Sequence, residues 1–146
     1  MNRNFVEMLC AFSDAGADYL IVGAYALAAH DCPRATGDLD IWVRASAENA
    51  PRVLRAIDAF GMPIDGLSPA ELTAPGLVVQ FGFEPQRIDI MTSITGVMFD
   101  DAWPNRIYVD IDGRQHPVIG RQDLITNKRA TGREKDLLDL KALNRR

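Results

Sequence analysis

The chain has 146 residues, 47% of them hydrophobic and 25% charged, an ordinary balance for a water-soluble globular protein with one core and no need of cross-links. A formal charge of −4 excludes broad, sequence-independent nucleic-acid binding and leaves room only for a local basic patch. Two cysteines, Cys10 and Cys32, are too few for a disulfide framework, and neither a signal-peptide pattern nor a run of some 18 apolar residues is present, so a cytoplasmic chain forming one domain over residues 1–146 is expected.

Residues 4–15 set Phe5, Met8, Leu9 and Phe12 at helical spacing, with Cys10 on the same apolar face and Gly16 as a stop. Residues 19–22 predict a short buried strand. At Gly23 the chain turns into an alanine-rich helix over 24–30, which ends before Pro33. Residues 38–43 predict a strand whose alternation sends Leu39, Ile41 and Val43 into the core. Asp38, Asp40 and Trp42 then share the other face, where Trp42 could stack a base but reads rather as a buried rim aromatic. Ser46 is expected to cap a helix reaching residue 60, which turns Val53, Leu54, Ile57 and Phe60 inward.

Residues 66–75 read as a surface loop, with a short helix near 69–72. Residues 77–83 and 87–91 predict a hairpin around Glu84-Pro85-Gln86, and its second strand carries Asp89. A further hairpin, 106–111 with 115–119, closes at Asp112-Gly113. The tail predicts two helices. Lys128 and Arg129 end the first, and Thr131-x-x-Glu134 has the pattern of a capping box for the second. Leu137, Leu140 and Leu143 are expected to pack, leaving Lys135 and Asp139 as an exposed i,i+4 pair. His30 and His116 have no ligand-spaced partner, which argues against zinc.

Asp38 and Asp40 carry the chemistry. Their α-carbons should lie roughly 6.7 Å apart, from the rise of a strand, a spacing that suits carboxylates flanking two magnesium ions. Asp89, on another apolar strand, supplies a third acid, and three carboxylates on one face repel one another unless a cation intervenes. Asp-x-Asp alone is weak evidence. Asp110 and Asp112 repeat it, yet Asp112-Gly113 is explained by turn chemistry. What singles out the first pair is the strand-Gly23-helix unit before it, where main-chain N–H groups and a helix N-terminus can receive a phosphate.

These residues reach a family. Val22-Gly23-Ala24, then Arg34-x-Thr36-x-Asp38-x-Asp40, with Asp89 later, resembles the DNA polymerase beta-like nucleotidyltransferase superfamily. The tail from Leu124 to Leu140 and the segment from Gly96 to Trp103 are similar to small bacterial members related to toxin-type and abortive-infection nucleotidyltransferases. The resemblance implies an α/β (α+β) nucleotidyltransferase fold, a mixed β-sheet flanked by α-helices. It also implies a magnesium-dependent enzyme that moves a nucleoside monophosphate from a nucleoside triphosphate such as ATP onto an acceptor hydroxyl. The acceptor is open between a protein, an RNA and a small molecule.

By the same resemblance Asp38, Asp40 and Asp89 bind two magnesium ions, and Asp89 helps activate the acceptor. Gly23, Ala24, Arg34 and Thr36 line the nucleotide, and Lys128, with Arg133 and Lys135, reaches the triphosphate. Asp136 is expected to orient a basic residue rather than bind metal. A homodimer, or a cognate toxin or antitoxin, is the implied partner, with no membrane. Ala24 departs from the family's second glycine or serine, at little cost if its φ is helical. That departure keeps open the alternative of a catalytically degenerate nucleotide-binding or antitoxin-like interaction protein.

Overall fold

The computed structural model describes residues 1–32, 37–83 and 86–145. In chain order these form α1 (Arg3–Asp14), β1 (Tyr19–Val22), α2 (Gly23–Ala29), β2 (Leu39–Val43), α3 (Ala50–Phe60), β3 (Val78–Phe81), β4 (Ile88–Met91), α4 (Phe99–Ala102), β5 (Ile107–Ile111), β6 (Arg114–Val118), α5 (Arg121–Thr131) and α6 (Glu134–Asn144). The strands make one six-stranded sheet in the order β3-β4-β2-β1-β6-β5. Pairs β1–β2, β3–β4 and β5–β6 are antiparallel, whereas β1–β6 and β2–β4 are parallel, so the sheet is mixed as expected. No helix among the described residues is long and apolar enough to cross a membrane.

The alternation of β1 and β2 sorts the helices onto two faces. Tyr19 and Ile21 look one way, and the Tyr19 ring lies 5.5 Å from Phe12 of α1. Helix α1 starts at Asn2, whose Oδ1 accepts the Phe5 N–H at 2.9 Å, and buries Phe5, Met8, Leu9 and Phe12. Helix α3 packs beside it and stops at Gly61, which takes the left-handed conformation at φ 96°. On the other face Trp42 meets Phe99 of α4 edge-on at 5.0 Å. Helices α5 and α6 pack together on this side, over the strand ends that carry the acids.

Several local expectations change. Helix α3 begins at Ala50 rather than after Ser46, because Pro51 suits its first turn, and Ser46 Oγ instead accepts the Asn49 N–H at 3.1 Å. Buried Asn49 ties the start of β1 to the end of β2, accepting from the Asp18 N–H at 2.7 Å and donating to the Arg44 carbonyl at 2.9 Å. Helix α6 is capped at Arg133, whose main-chain N–H donates to Asp136 Oδ2 at 3.2 Å, and not by a Thr131–Glu134 box, since Gly132 ends α5 one residue after Thr131. Leu140 and Leu143 are buried but Leu137 is half exposed. Trp42 is buried as expected, at 1% exposed. Cys10 is only half-buried. Helix α4 was not foreseen, because four residues carry no readable period. The turn at Asp112-Gly113 forms as expected, with positive φ at both residues and Asp110 Oδ1 accepting the Gly113 N–H at 3.0 Å.

Candidate active site

The candidate site forms where β1 ends and β2 and β4 begin. Val22 stands opposite Asp40 in the β1–β2 ladder, and Asp40 stands beside Asp89 in the β2–β4 ladder. Residues paired in this way present their side chains on one face, so the two carboxylates are neighbours by register rather than by chance of rotamer. Gly23 follows at φ 71°, and a Cβ there would run into the Asp40 carboxylate. Only glycine permits both the turn and the approach. Ala24 already lies within α2 and is not among the positive-φ residues, so alanine fits there without backbone strain.

Around these atoms lies a cleft of about 440 Å³ that brings together Gly23, Ala24, Asp38, Asp40, Asp89, Lys128, Arg133 and Lys135. Arg34 and Thr36 lie outside the described residues. A larger hollow of about 690 Å³ runs between α1 and α3, but its ionic groups pair off among themselves, Arg3 with Glu7 at 3.4 Å and with Asp112 at 3.3 Å. Chemistry rather than volume places the site in the smaller cleft.

The sheet wall crowds three carboxylates together. Burial first, then the charges of Asp89 and Asp38 and a hydrogen bond with Asp89, push the Asp40 carboxyl up to about 6, against the weaker pull of Arg87. Arg87 is the residue of this cleft that the sequence reading missed. Its Nε donates to Asp89 Oδ1 at 2.7 Å and its Nη2 to Asp89 Oδ2 at 3.1 Å, a two-pronged grip. The same Nη2 lies 3.5 Å from Asp38 Oδ2, and the Arg87 main-chain N–H donates to Asp38 Oδ1 at 3.1 Å. The signal was present in Arg87-x-Asp89: two residues apart on a strand share a face.

The opposite wall, at the α5–α6 junction, is balanced. Lys128 is 5% exposed, with its ammonium 3.3 Å from Asp136 and 3.2 Å from Asp139. Asp139 therefore pairs with Lys128, not with Lys135 as expected. Asp136 is fully buried and accepts from Arg133 Nε at 2.6 Å, Thr131 Oγ1 at 2.8 Å and the Arg133 main-chain N–H at 3.2 Å. Burial pushes its carboxyl up, but the hydrogen bonds from Arg133, Thr131 and Lys128 outweigh that and hold it well below the usual range. Lys135 is exposed at the mouth of the cleft, and it makes no ion pair among the described residues.

The donor set suits a hard divalent cation, since every candidate ligand is a carboxylate oxygen. Yet no three acid, histidine or cysteine side chains among the described residues are drawn together as a finished metal cage.

No protein-family model matches the chain, and no curated protein matches it in sequence. Solved structures do match it in shape. The lincosamide antibiotic adenylyltransferase LnuA, in its lincomycin-bound form, superposes with a TM-score of 0.61 at 13% identity, covering 99% of this chain and 96% of that one. A Thermotoga maritima protein assigned as a nucleotidyltransferase superposes with a TM-score of 0.61 at 19% identity, covering 100% and 97%. At such identities the likeness is one of fold, and that fold is the one nucleotidyltransferases use.

Proposed function

We propose that this protein is a nucleotidyltransferase that moves a nucleoside monophosphate from a nucleoside triphosphate onto an acceptor hydroxyl. The observation that carries the reading is the register of β1, β2 and β4, which sets Asp40 beside Asp89 on one sheet face and against Gly23. The acceptor oxygen attacks the α-phosphorus, the bond to the β-phosphate bridging oxygen breaks, and pyrophosphate leaves. Magnesium held by the carboxylates would neutralise the charge developing on the phosphoryl oxygens. Asp89 helps activate the acceptor hydroxyl. Gly23 and Ala24 leave the main chain open to a phosphate, with Arg34 and Thr36 as further nucleotide contacts.

Arg133 and Lys135, and Lys128 from within its acid pair, face the same cleft from the other wall and supply positive charge toward the triphosphate. The fold shared with an antibiotic adenylyltransferase supports a small-molecule acceptor. A protein or an RNA acceptor, with a cognate toxin or antitoxin as partner, follows from the resemblance of the tail to toxin-type members. The test is transfer of label from each α-labelled nucleoside triphosphate with magnesium, against an Asp38→Ala control. Label moved by the wild type and not by the control supports the reading; nucleotide binding without transfer to any acceptor class supports the second one. That second reading, a non-catalytic nucleotide-binding protein, is favoured by the hold of Arg87 on two of the three acids.

A further inference from the structure

The β5 edge of the sheet is bare. Strand β5 ends the order β3-β4-β2-β1-β6-β5 and pairs only with β6 among the described residues. Its ladder starts at the Asp112-Gly113 turn, where both residues have positive φ, so the flanking pair Ile111–Arg114 exchanges both main-chain bonds. Such pairs alternate along an antiparallel ladder. The main-chain groups of Ile107, Val109 and Ile111 therefore turn toward β6, and those of Tyr108 and Asp110 turn outward. Pro117 agrees, because it stands opposite Tyr108 and has no N–H to give. Side chains alternate as well: Ile107, Val109 and Ile111 are half-buried against the core, while Tyr108 and Asp110 are exposed. Arg106 joins the exposed face, since its Nε donates to the Tyr108 hydroxyl at 2.7 Å, and its guanidinium lies 4.0 Å from the Trp103 ring centroid. Its Nη1 donates to the Trp103 carbonyl, and Asp110 accepts the Gly113 N–H. Among the described residues neither Arg106 nor Asp110 meets an opposite charge.

We infer that β5 pairs antiparallel with β5 of a second copy of this chain, about a two-fold axis through Tyr108. In that register Tyr108 of each copy exchanges both main-chain bonds with its counterpart. Each Asp110 N–H then meets the Arg106 carbonyl of the other copy. The unpaired charges find partners, because Arg106 comes to lie directly opposite Asp110 at both ends, the self-complementary arrangement that a two-fold interface requires. Ile107 comes opposite Val109 and lengthens the apolar row. Neighbouring registers do worse. Centring on Asp110 sets acid against acid. Centring on Val109 sets Arg106 opposite Asp112, which Arg3 already holds at 3.3 Å. Bare edges invite pairing with another chain, and Ile107–Ile111 contains no proline or lysine to oppose it. A five-residue edge buries less than a standard interface, so the dimer depends on concentration. Strands β1 and β6 separate β5 from β2, which keeps the cleft away from the contact and the inference independent of the nucleotidyltransferase reading.

The test is the average mass of the full chain by sedimentation equilibrium over a concentration series. The wild type should climb from one chain toward two. Arg106→Asp and Asp110→Arg each set like charges opposite one another and should stay monomeric alone. Mixed in equal amounts, the two variants restore opposite charges at both ends and should climb as the wild type does. Tyr108→Pro removes an outward N–H while sparing the bonds to β6, and should abolish the dimer as well. Circular dichroism confirms that each variant is folded, and Tyr108→Pro decides if a charge variant is not. A wild type that stays monomeric, a dimer that survives either single reversal or Tyr108→Pro, or a mixture that stays monomeric overturns the inference.

Discussion

The two walls of the cleft handle buried charge in opposite ways. At the α5–α6 junction Lys128 and Arg133 meet Asp136 and Asp139, two bases against two acids, and each acid is met by a cation. On the sheet, Arg87 meets Asp38 and Asp89, and Asp40 makes no ion pair among the described residues. Removing charges from water is costly, and a balanced cluster recovers that cost within the protein whereas an unbalanced one does not. On the proposed reading, the Lys128–Asp136–Asp139 cluster of the helix wall serves the folded state, and the sheet wall serves a cation that is not part of the chain. The difference separates structural charge from functional charge without appeal to sequence relatives.

The comparison makes claims of opposite sign. The largest effect is on the balanced wall. Asp136→Ala strands Lys128 and loosens Arg133, and loss of one partner from a buried pair costs about 3–5 kcal/mol. The thermal midpoint should drop by roughly 10 °C for a chain of this size, whatever happens to catalysis. An unshifted melting curve would break the structural assignment of that wall.

Next comes Asp40→Asn, which removes the most crowded charge of the unbalanced wall. Label transfer should fall by about 10²-fold or more, the usual scale for losing a group that stabilises the transition state. Stability of the metal-free protein should rise instead, by about 1–3 kcal/mol, from the upward shift of the Asp40 carboxyl. A destabilised Asp40→Asn would place that residue among the structural charges.

Acidity sharpens the same contrast in a chelator-treated sample. The Asp40 carboxyl is raised to about 6, so the folded state binds more protons than the unfolded state between pH 4 and pH 6. Its contribution is fully present below pH 4 and is lost as pH rises through 6. Asp136 is depressed, so its contribution is present above pH 4 and is lost as pH falls further. Midpoints scanned from pH 7 downward should climb, peak near pH 4 to 5 and then fall. Removing Asp40 should flatten the climb, and removing Asp136 should soften the fall.

Much of this site was legible because strands write their faces in every second residue. Asp38, Asp40 and Trp42 against Leu39, Ile41 and Val43 needed only that rule, and the strands carrying Asp40 and Asp89 were both foreseen. What was not legible is pairing. Nothing in the order of residues says that Lys128 is claimed by Asp139 from the next helix, or that Trp42 is sealed over by Phe99 of a four-residue helix. Such contacts depend on how far Gly132 turns the chain between α5 and α6, which local pattern does not encode. Arg87 is the intermediate case: its face was readable, but its partners across the β2–β4 ladder were not.

Lys135 gives the finest test of the difference between the walls. It lies in the first turn of α6, where the positive end of the helix dipole disfavours a cation, and no carboxylate among the described residues compensates it. A residue kept there for stability would be a poor choice. Lys135→Ala should leave the thermal midpoint almost unmoved, within about 0.5 kcal/mol. It should weaken nucleoside triphosphate binding several-fold, about 1 kcal/mol in a calorimetric titration. That loss should shrink at high salt, because an exposed charge is screened. Equal affinity for triphosphate and monophosphate in the variant, with wild type preferring the triphosphate, would assign Lys135 to the outer phosphates. An unchanged preference would confine the anion-binding charge of the helix wall to Arg133 and Lys128.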